Sequence, residues 1–306
     1  MNQISDRTAI IFLLCTMTFW AGNAVTGRMF HAELPPFQLA FWRWVCAGLI
    51  VLVLLRPPLR KDWAVIWAHK WTLLIIGTLG IGMYNTLQYW SLHYTTATNV
   101  GLIQTIMPIL ITMMDWAINR SRVYKIQWVG MGLSTIGVLI VISRGDINVL
   151  LGLSLNIGDV LMVVAVLIYG LFSVLLKRAP KVNQWSLLFV LFMIGAVELL
   201  PLQYYEYASG ARFDYGTGPI IGFMYIVIGP ALLAYYFFTT AVGKLGANRA
   251  GIFFYWLPIA AAGLAAIFLD ERLALYHLAG FVLVVMGLRF GLWRPKSTEQ
   301  IQTTSS

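Results

Sequence analysis

Three features of this sequence predict an all-α integral membrane protein with ten transmembrane helices arranged as two inverted five-helix repeats. They are its solvent preference, the placement of its charges and an internal repeat. Of 306 residues, 59% are hydrophobic and 11% charged, whereas about a quarter of a soluble chain is charged. A soluble core could not bury so much apolar surface, so lipid is the solvent for much of it. In hydrocarbon, backbone polar groups are satisfied by helices or by closed barrels. Barrel strands would alternate apolar and polar residues, and no long stretch here does so.

A span needs roughly 20 apolar residues to cross about 30 Å of hydrocarbon. The apolar runs predict spans at 8–29, 36–55, 71–92, 97–118, 124–142, 156–176, 183–205, 217–241, 247–269 and 274–293. Trp71 to Ile118 is nearly continuous, but as one helix it would be about 70 Å long. It therefore divides at the polar break His93 to Thr96. The segment before the first run is short and polar, with no cleavage pattern after the run, so the first span is expected to serve as an uncleaved signal anchor. Residues 294–306, rich in Ser, Thr and Gln, are expected to form a disordered cytoplasmic tail.

Charge sets the orientation. With the N-terminus in the cytoplasm, fifteen of the 21 Lys and Arg fall on the cytoplasmic side, in basic connectors such as Arg56 to Lys70, Arg120 to Lys125 and Lys177 to Lys181. Three (Arg144, Arg212 and Arg272) fall opposite, and Arg28, Arg43 and Arg289 lie within spans. The formal charge of +9 is thus a topology signal, and a nucleic-acid partner is not needed to explain it. The expected location is the inner (plasma) membrane, multi-pass, with both termini cytoplasmic.

The chain also repeats itself. Gly101, Pro108, Gly130 and Gly137 recur as Gly251, Pro258, Gly280 and Gly287 at an offset of 150, and Trp20, Ala21 and Arg28 align with Tyr169, Gly170 and Lys177 at 149. The predicted units are 8–142 and 156–293. Five spans is an odd number, so the second unit inserts upside down, an arrangement characteristic of transporters.

Candidate site residues follow from the cost of polarity in lipid. Pro108 and Pro258 sit mid-span, where each removes a backbone hydrogen bond, and Gly101 and Gly251 lie two helical turns earlier on the same face. These four are gating candidates; close packing of kinked helices is the competing reading. Asn23 shares a face with Trp20 in span 1, Tyr84, Asn85 and Gln88 cluster in span 3, and Gln104 lies on the Gly101 face of span 4. Amides facing lipid are unfavourable, so these faces should turn inward, either to line a cavity or to bond between helices. Tyr235 and Tyr255, with Tyr236 and Trp256, are candidates for an aromatic pocket, with core packing as the alternative. Arg43 and Glu198 lie at depth. Arg43 is a candidate for attracting a carboxylate and Glu198 for carrying a coupling proton, and a structural ion pair is the alternative for each.

Several classes are excluded by pattern. Cys15 and Cys46 fall in apolar runs with no CxxC and no Cys/His cluster, which argues against a disulfide framework or zinc site. There is no GxxxxGK[ST] and no HExxH, and His31-Ala32-Glu33 has no PCxxC partner. Neither a cofactor nor an enzymatic activity is expected.

Phe19-Trp20-Ala21-Gly22-Asn23 with Arg28, and Tyr84-Asn85 through Trp90-Ser91-Leu92 followed by Pro108, resemble the drug/metabolite transporter superfamily, EamA type. So do Leu245 to Gly251, Pro258, Asp270-Glu271-Arg272-Leu273 and His277-Leu278-Ala279-Gly280. The resemblance covers about residues 8–293. It implies ten spans in two repeats, a central cavity, and secondary export of small organic metabolites, typically amino acids or related solutes. Efflux of hydrophobic or cationic compounds and a non-transporting membrane scaffold are the alternatives. One departure stands out: the first half has Asn119-Arg120-Ser121-Arg122 where a Gly-Glu-Arg motif is common. Glu271, which keeps it, is expected to cap the last span.

Overall fold

The computed structural model describes residues 4–30, 33–92, 94–152, 156–268 and 274–293. The expected cap at Glu271 and the expected tail at 294–306 lie outside these residues. Every regular element among them is helical. The helices are α1 (Asp6–Met29), α2 (Pro36–Ile50), α3 (Leu59–Ala68), α4 (Lys70–Gly77), α5 (Tyr84–Ser91), α6 (Ala97–Gln104), α7 (Met107–Asn119) and α8 (Lys125–Ile142). There follow α9 (Ile147–Leu151), α10 (Ile157–Leu175), α11 (Gln184–Ala208), α12 (Thr217–Ile226), α13 (Ala234–Leu245), α14 (Ala247–Gly251), α15 (Trp256–Phe268) and α16 (Leu275–Gly291). Among the described residues, eight continuous helical stretches are long and apolar enough to cross a membrane. The predicted spans 71–92 and 274–293 fall outside that count. Lys70–Gln88 qualifies only together with α3, from which it bends by 92°, and Leu275–Gly291 has 17 residues.

Local chemistry places the ends. Ser5 caps α1 by accepting from the Thr8 N–H at 3.0 Å, and Asn156 and Asp159 form a reciprocal capping box at the start of α10, satisfying amides that the helix leaves unpaired. Helix α3 is not expected from hydropathy, because it is short and mixes Arg60, Lys61 and Asp62 with Trp63 and Trp67. Its exposed Trp63 and Trp67 rings stack at 6.1 Å and Trp71 follows, as suits an aromatic belt at a membrane interface.

The two halves pack crosswise. A Cβ on Gly130 would lie 2.5 Å from the Gly287 carbonyl, and one on Gly137 would lie 2.8 Å from that of Gly280. Because 130 corresponds to 280 and 137 to 287, these two contacts exchange under the repeat, which is the pattern a two-fold axis produces. Other pairs follow the same rule: α1 packs on α13 and α15, while α10 packs on α5 and α7. Trp20 meets its own counterpart Tyr169 edge-to-face at 6.0 Å.

A carboxylate fastens one end. Glu206, near the end of α11, accepts from the Gln38 N–H at 2.8 Å and the Phe37 N–H at 3.3 Å at the start of α2. A negative charge there satisfies open amides and complements the helix dipole. Glu206→Gln is expected to lower stability by about 1 kcal/mol, read as a lower melting temperature of the detergent-purified protein. An unchanged melting temperature would show that solvent caps α2 equally well.

Candidate functional site

The spans that carry Pro108 and Pro258 are broken where their backbones lose a donor. Pro108 offers no N–H to the Gln104 carbonyl, and the chain leaves α6 there, passes through Thr105 and Ile106, and resumes as α7. Pro258 offers none to the Phe254 carbonyl, and the 3₁₀ turn Ile252–Tyr255 separates α14 from α15. Gly101 and Gly251 sit on the short helices before each break.

A second symmetric irregularity lies beside them. Residues Thr78–Met83 and Val227–Leu233 are π-helical, a form whose shifted ladder makes carbonyls available to side chains. The Gly80 carbonyl accepts from the Tyr235 hydroxyl at 3.0 Å, and the Pro230 carbonyl accepts from the Trp20 indole N–H at 3.1 Å. Positions 80 and 230 correspond under the repeat, so two equivalent π segments each anchor one ring of the central cluster.

That cluster is built on Tyr169, which is only 2% exposed. Its ring lies 4.6 Å from Tyr84, 5.6 Å from Phe254 and 5.1 Å from Phe172. Trp20 adds contacts to Tyr235 at 5.6 Å and to Phe254 at 5.7 Å. Trp20, Tyr84 and Phe254 are half-buried, while Tyr235, Phe238 and Phe172 are buried beneath them. The half-buried rings therefore form a floor, and the buried ones its support. Gln104 donates to the Tyr84 hydroxyl at 3.2 Å and fixes that ring at the break before α7.

The molecule is shut on one side of this floor and open on the other. On the side of α7 and α14, Gly251 abuts Ile111, with a Cβ position 3.0 Å from the isoleucine, and the buried Thr112 hydroxyl donates to Asn248 at 2.8 Å. Residues 247–253 are all buried. The repeat predicts an equivalent contact between Gly101 and Ala261 on the other side. It is not made: among the described residues only Ile142 lies within 4 Å of a Gly101 Cβ. From Trp256 to Leu264 no residue is fully buried. A helix exposed only to lipid would still bury one face, so the inward face of α15 borders an opening. Gly27 and Gly263 have nothing among the described residues within 4 Å of an added Cβ. The side chains of Asn23 and Gln88 are half-buried and make no hydrogen bond among the described residues.

The predicted site residues divide accordingly. Trp20, Tyr84, Gln104 and Tyr235 converge on the floor, and Asn23 and Gln88 are accessible on the same spans. Asn85 is buried and donates back to the Ile81 carbonyl at 3.2 Å. Tyr255 does not join them. It is 1% exposed and its hydroxyl pairs with Thr135 at 2.8 Å, because the 3₁₀ turn rotates it toward α8. Arg43 is 4% exposed, with its guanidinium 4.5 Å from the Trp44 ring and no ion pair among the described residues. Glu198 accepts from Thr78 at the start of the π segment, and its other oxygen is buried without a partner among the described residues. Phe254, Phe172 and Phe238 carry no sequence signal that separates them from ordinary core residues. Tyr169 is visible in the sequence only as the repeat counterpart of Trp20. No group of three His, Cys, Asp or Glu suited to a metal occurs among the described residues.

Comparison with known proteins gives this arrangement a context. The EamA-like transporter family matches residues 7–143 and again residues 156–292. An uncharacterized transporter of Archaeoglobus fulgidus is 25% identical over 289 residues, covering 93% of this chain and 97% of its own. The uncharacterized transporter YetK of Bacillus subtilis is 24% identical over 284 residues, covering 92% and 85%. A solved crystal structure matches with a TM-score of 0.75 over 94% of this chain and 96% of its own; at 16% identity that likeness concerns the fold alone. With both halves matched, the chain belongs to the EamA-like transporter family of multi-pass membrane proteins.

Proposed function

We propose that this transporter is a secondary exporter of small organic metabolites bearing a carboxylate, amino acids or close relatives, across the inner membrane. In this reading ten spans form two inverted repeats, residues 8–142 and 156–293, with both termini cytoplasmic. The repeats alternate access to the aromatic floor, and the breaks before Pro108 and Pro258 act as hinges with Gly101 and Gly251 beside them. The observation that carries the substrate class is Arg43, a guanidinium buried in a span without a carboxylate among the described residues. A charge at that depth is unfavourable, and a substrate carboxylate is the partner that would compensate it. Asn23 and Gln88 supply free amides for the polar end of the solute, and Trp20, Tyr84 and Phe254 an apolar surface for the rest. Glu198, held against the π segment of span 3 by Thr78, is the candidate for a coupling proton.

The ring floor also favours a second reading, efflux of cationic aromatic compounds, since such faces attract cations. A scaffold role would call for a packed centre, which the separation of Gly101 from Ala261 disfavours.

The test is flux in proteoliposomes with a panel of amino acids and organic cations. Saturable amino-acid flux is expected, falling about tenfold in Asn23→Ala and Tyr84→Ala at unchanged membrane abundance, as loss of one or two hydrogen bonds would produce. Flux of cations alone would select the second reading. Parallel loss of abundance and flux would return Asn23 and Tyr84 to a packing role.

A further inference from the structure

A cleft of about 140 Å³ opens beside the contact of α7 with α14 and shares no lining residue with the aromatic floor. Arg122 lines it from the connector after α7, Lys177 from just after α10, and Asn248 and Arg249 from α14, with the Asp115 carboxylate in its wall. Three cations against one carboxylate leave an excess of two positive charges. Lys177 bonds both Asp115 oxygens, at 3.0 and 3.2 Å, and Asn119 donates to the same carboxylate at 2.7 Å, so that negative charge is answered within the wall. Arg249 meets Asp6 at 3.5 Å, but Lys244 lies 3.9 Å from the same carboxylate, so the local excess is undiminished. Arg122 is exposed and makes no ion pair among the described residues.

The amide in the wall is a donor as well. Asn248 is 6% exposed. Its carbonyl oxygen is occupied by the Thr112 hydroxyl at 2.8 Å, and its amide nitrogen makes no hydrogen bond among the described residues. Buried N–H groups are normally paired, so this one points to a ligand that accepts. Gly246 keeps the space clear: φ +86° with ψ 159° is open essentially to glycine, and a side chain there would begin 3.4 Å from the Lys177 ammonium. The cleft thus offers two guanidinium forks, an ammonium and an amide, all donors. A phosphate group is their complement, because its oxygens accept, guanidinium forks bind them in pairs and lysine serves as a point charge. A phosphomonoester carries about −1.5 to −2 charges near neutral pH, which matches the excess; a carboxylate or a phosphodiester carries a single charge. The volume holds several waters, and so one such group.

We propose that this cleft is a binding site for a phosphomonoester, with Arg122, Lys177 and Arg249 holding its oxygens and Asn248 donating to it. Soluble phosphate and the headgroup of phosphatidic acid both present that chemistry, and basic pockets at the ends of membrane helices take up anionic headgroups. Arg122 belongs to the connector of the first repeat and the other three residues to the second. A ligand held by all four ties the repeats together at this end, and binding the native state stabilises it. The cleft lies apart from the aromatic floor, so the site is independent of the solute that the floor takes.

The experiment is thermal unfolding of the full-length protein in an uncharged detergent, titrated with sodium phosphate against sodium chloride at equal ionic strength. A saturable rise in melting temperature of about 3 °C is expected. Phosphate also stabilises proteins by exclusion from their surfaces, so the variants decide. Arg122→Gln changes an exposed side chain. Asn248→Asp keeps an acceptor for Thr112 but turns a carboxylate oxygen toward the ligand. Each should raise the half-saturating phosphate concentration at least about tenfold, while Lys181→Gln, an equal loss of charge outside the cleft, should leave it unchanged. An equal response in the parent and every variant would overturn the proposal, as would an equal weakening in Lys181→Gln. If Asn248→Asp fails to accumulate, Arg122→Gln decides. Phosphatidylcholine nanodiscs with and without phosphatidic acid separate the two sources. A rise with soluble phosphate in detergent assigns the site to a soluble ligand. A rise only with phosphatidic acid, lost in Arg122→Gln, assigns it to the headgroup, and a rise with neither overturns the proposal.

Discussion

Gly287→Leu is expected to prevent stable folding, whereas Gly132→Ala, on the open face of the same helix pair, is expected to leave stability unchanged or slightly higher. A Cβ at 287 would sit 2.5 Å from the Gly130 carbonyl, a backbone atom that cannot rotate aside. The added leucine must therefore separate α8 from α16 along a seam that also includes Gly137, Gly280 and Gly291. Overpacking typically destabilises by about 1–3 kcal/mol when side chains can adjust, and here a helix axis has to move. In a membrane, close approach of small residues is a main source of helix association, so the loss is not recovered by hydrophobic burial. At 132 nothing among the described residues lies within 4 Å, and alanine is the better helix former by about 1 kcal/mol. Membrane abundance and the melting temperature in detergent check both. Normal accumulation of Gly287→Leu would show that the two helices can part without unfolding the rest.

The second large effect is expected at Arg43, in opposite directions for transport and stability. Arg43→Gln should lower flux of carboxylate-bearing solutes by about 10- to 100-fold, the loss of roughly 1.5–3 kcal/mol that bonds to a charged group supply. The same change removes a buried charge that has no ion-pair partner among the described residues, so the melting temperature should rise or stay level. Both quantities come from one purified sample. A fall in melting temperature alongside the fall in flux would assign Arg43 to structure through its contact with Trp44, and undiminished flux would remove it from the site.

Much of the helix pattern is legible because hydrocarbon imposes it. Predicted runs such as 36–55 and 124–142 reappear to within a residue or two as Pro36–Leu55 and Lys125–Ile142, since a lipid-crossing backbone has few alternatives. The breaks at Pro108 and Pro258 are legible for a similar reason: a proline removes its donor wherever the chain goes. Helix α3 escapes because its mixed composition reads as a loop until an interface is supplied. The π segments escape because Gly80 and Gly82 in Thr78–Met83, and Gly229 and Pro230 in Val227–Leu233, suit a kinked α-helix as well as a π ladder, and only packing selects between the two. Tyr255 belongs to the pocket by its neighbours in sequence, and the geometry of the 3₁₀ turn sends it to Thr135 instead.

The repeat, the excess of basic residues along one set of connectors and the cost of polar groups in lipid were determined by the sequence by itself, since each depends only on the order of residues and on the solvent around them. Which side of the floor is shut could not be read that way. The two halves share the same pattern of glycines and prolines, and both Gly101 and Gly251 can pack against the opposite repeat. Only the tertiary structure decided that Gly251 meets Ile111 while Gly101 stands clear of Ala261. The physical reason lies in a few side chains brought together from distant parts of the chain. Around Gly251, Lys177 pairs with Asp115, Arg249 with Asp6 and Thr112 with Asn248, partners that lie far apart in the order of the chain.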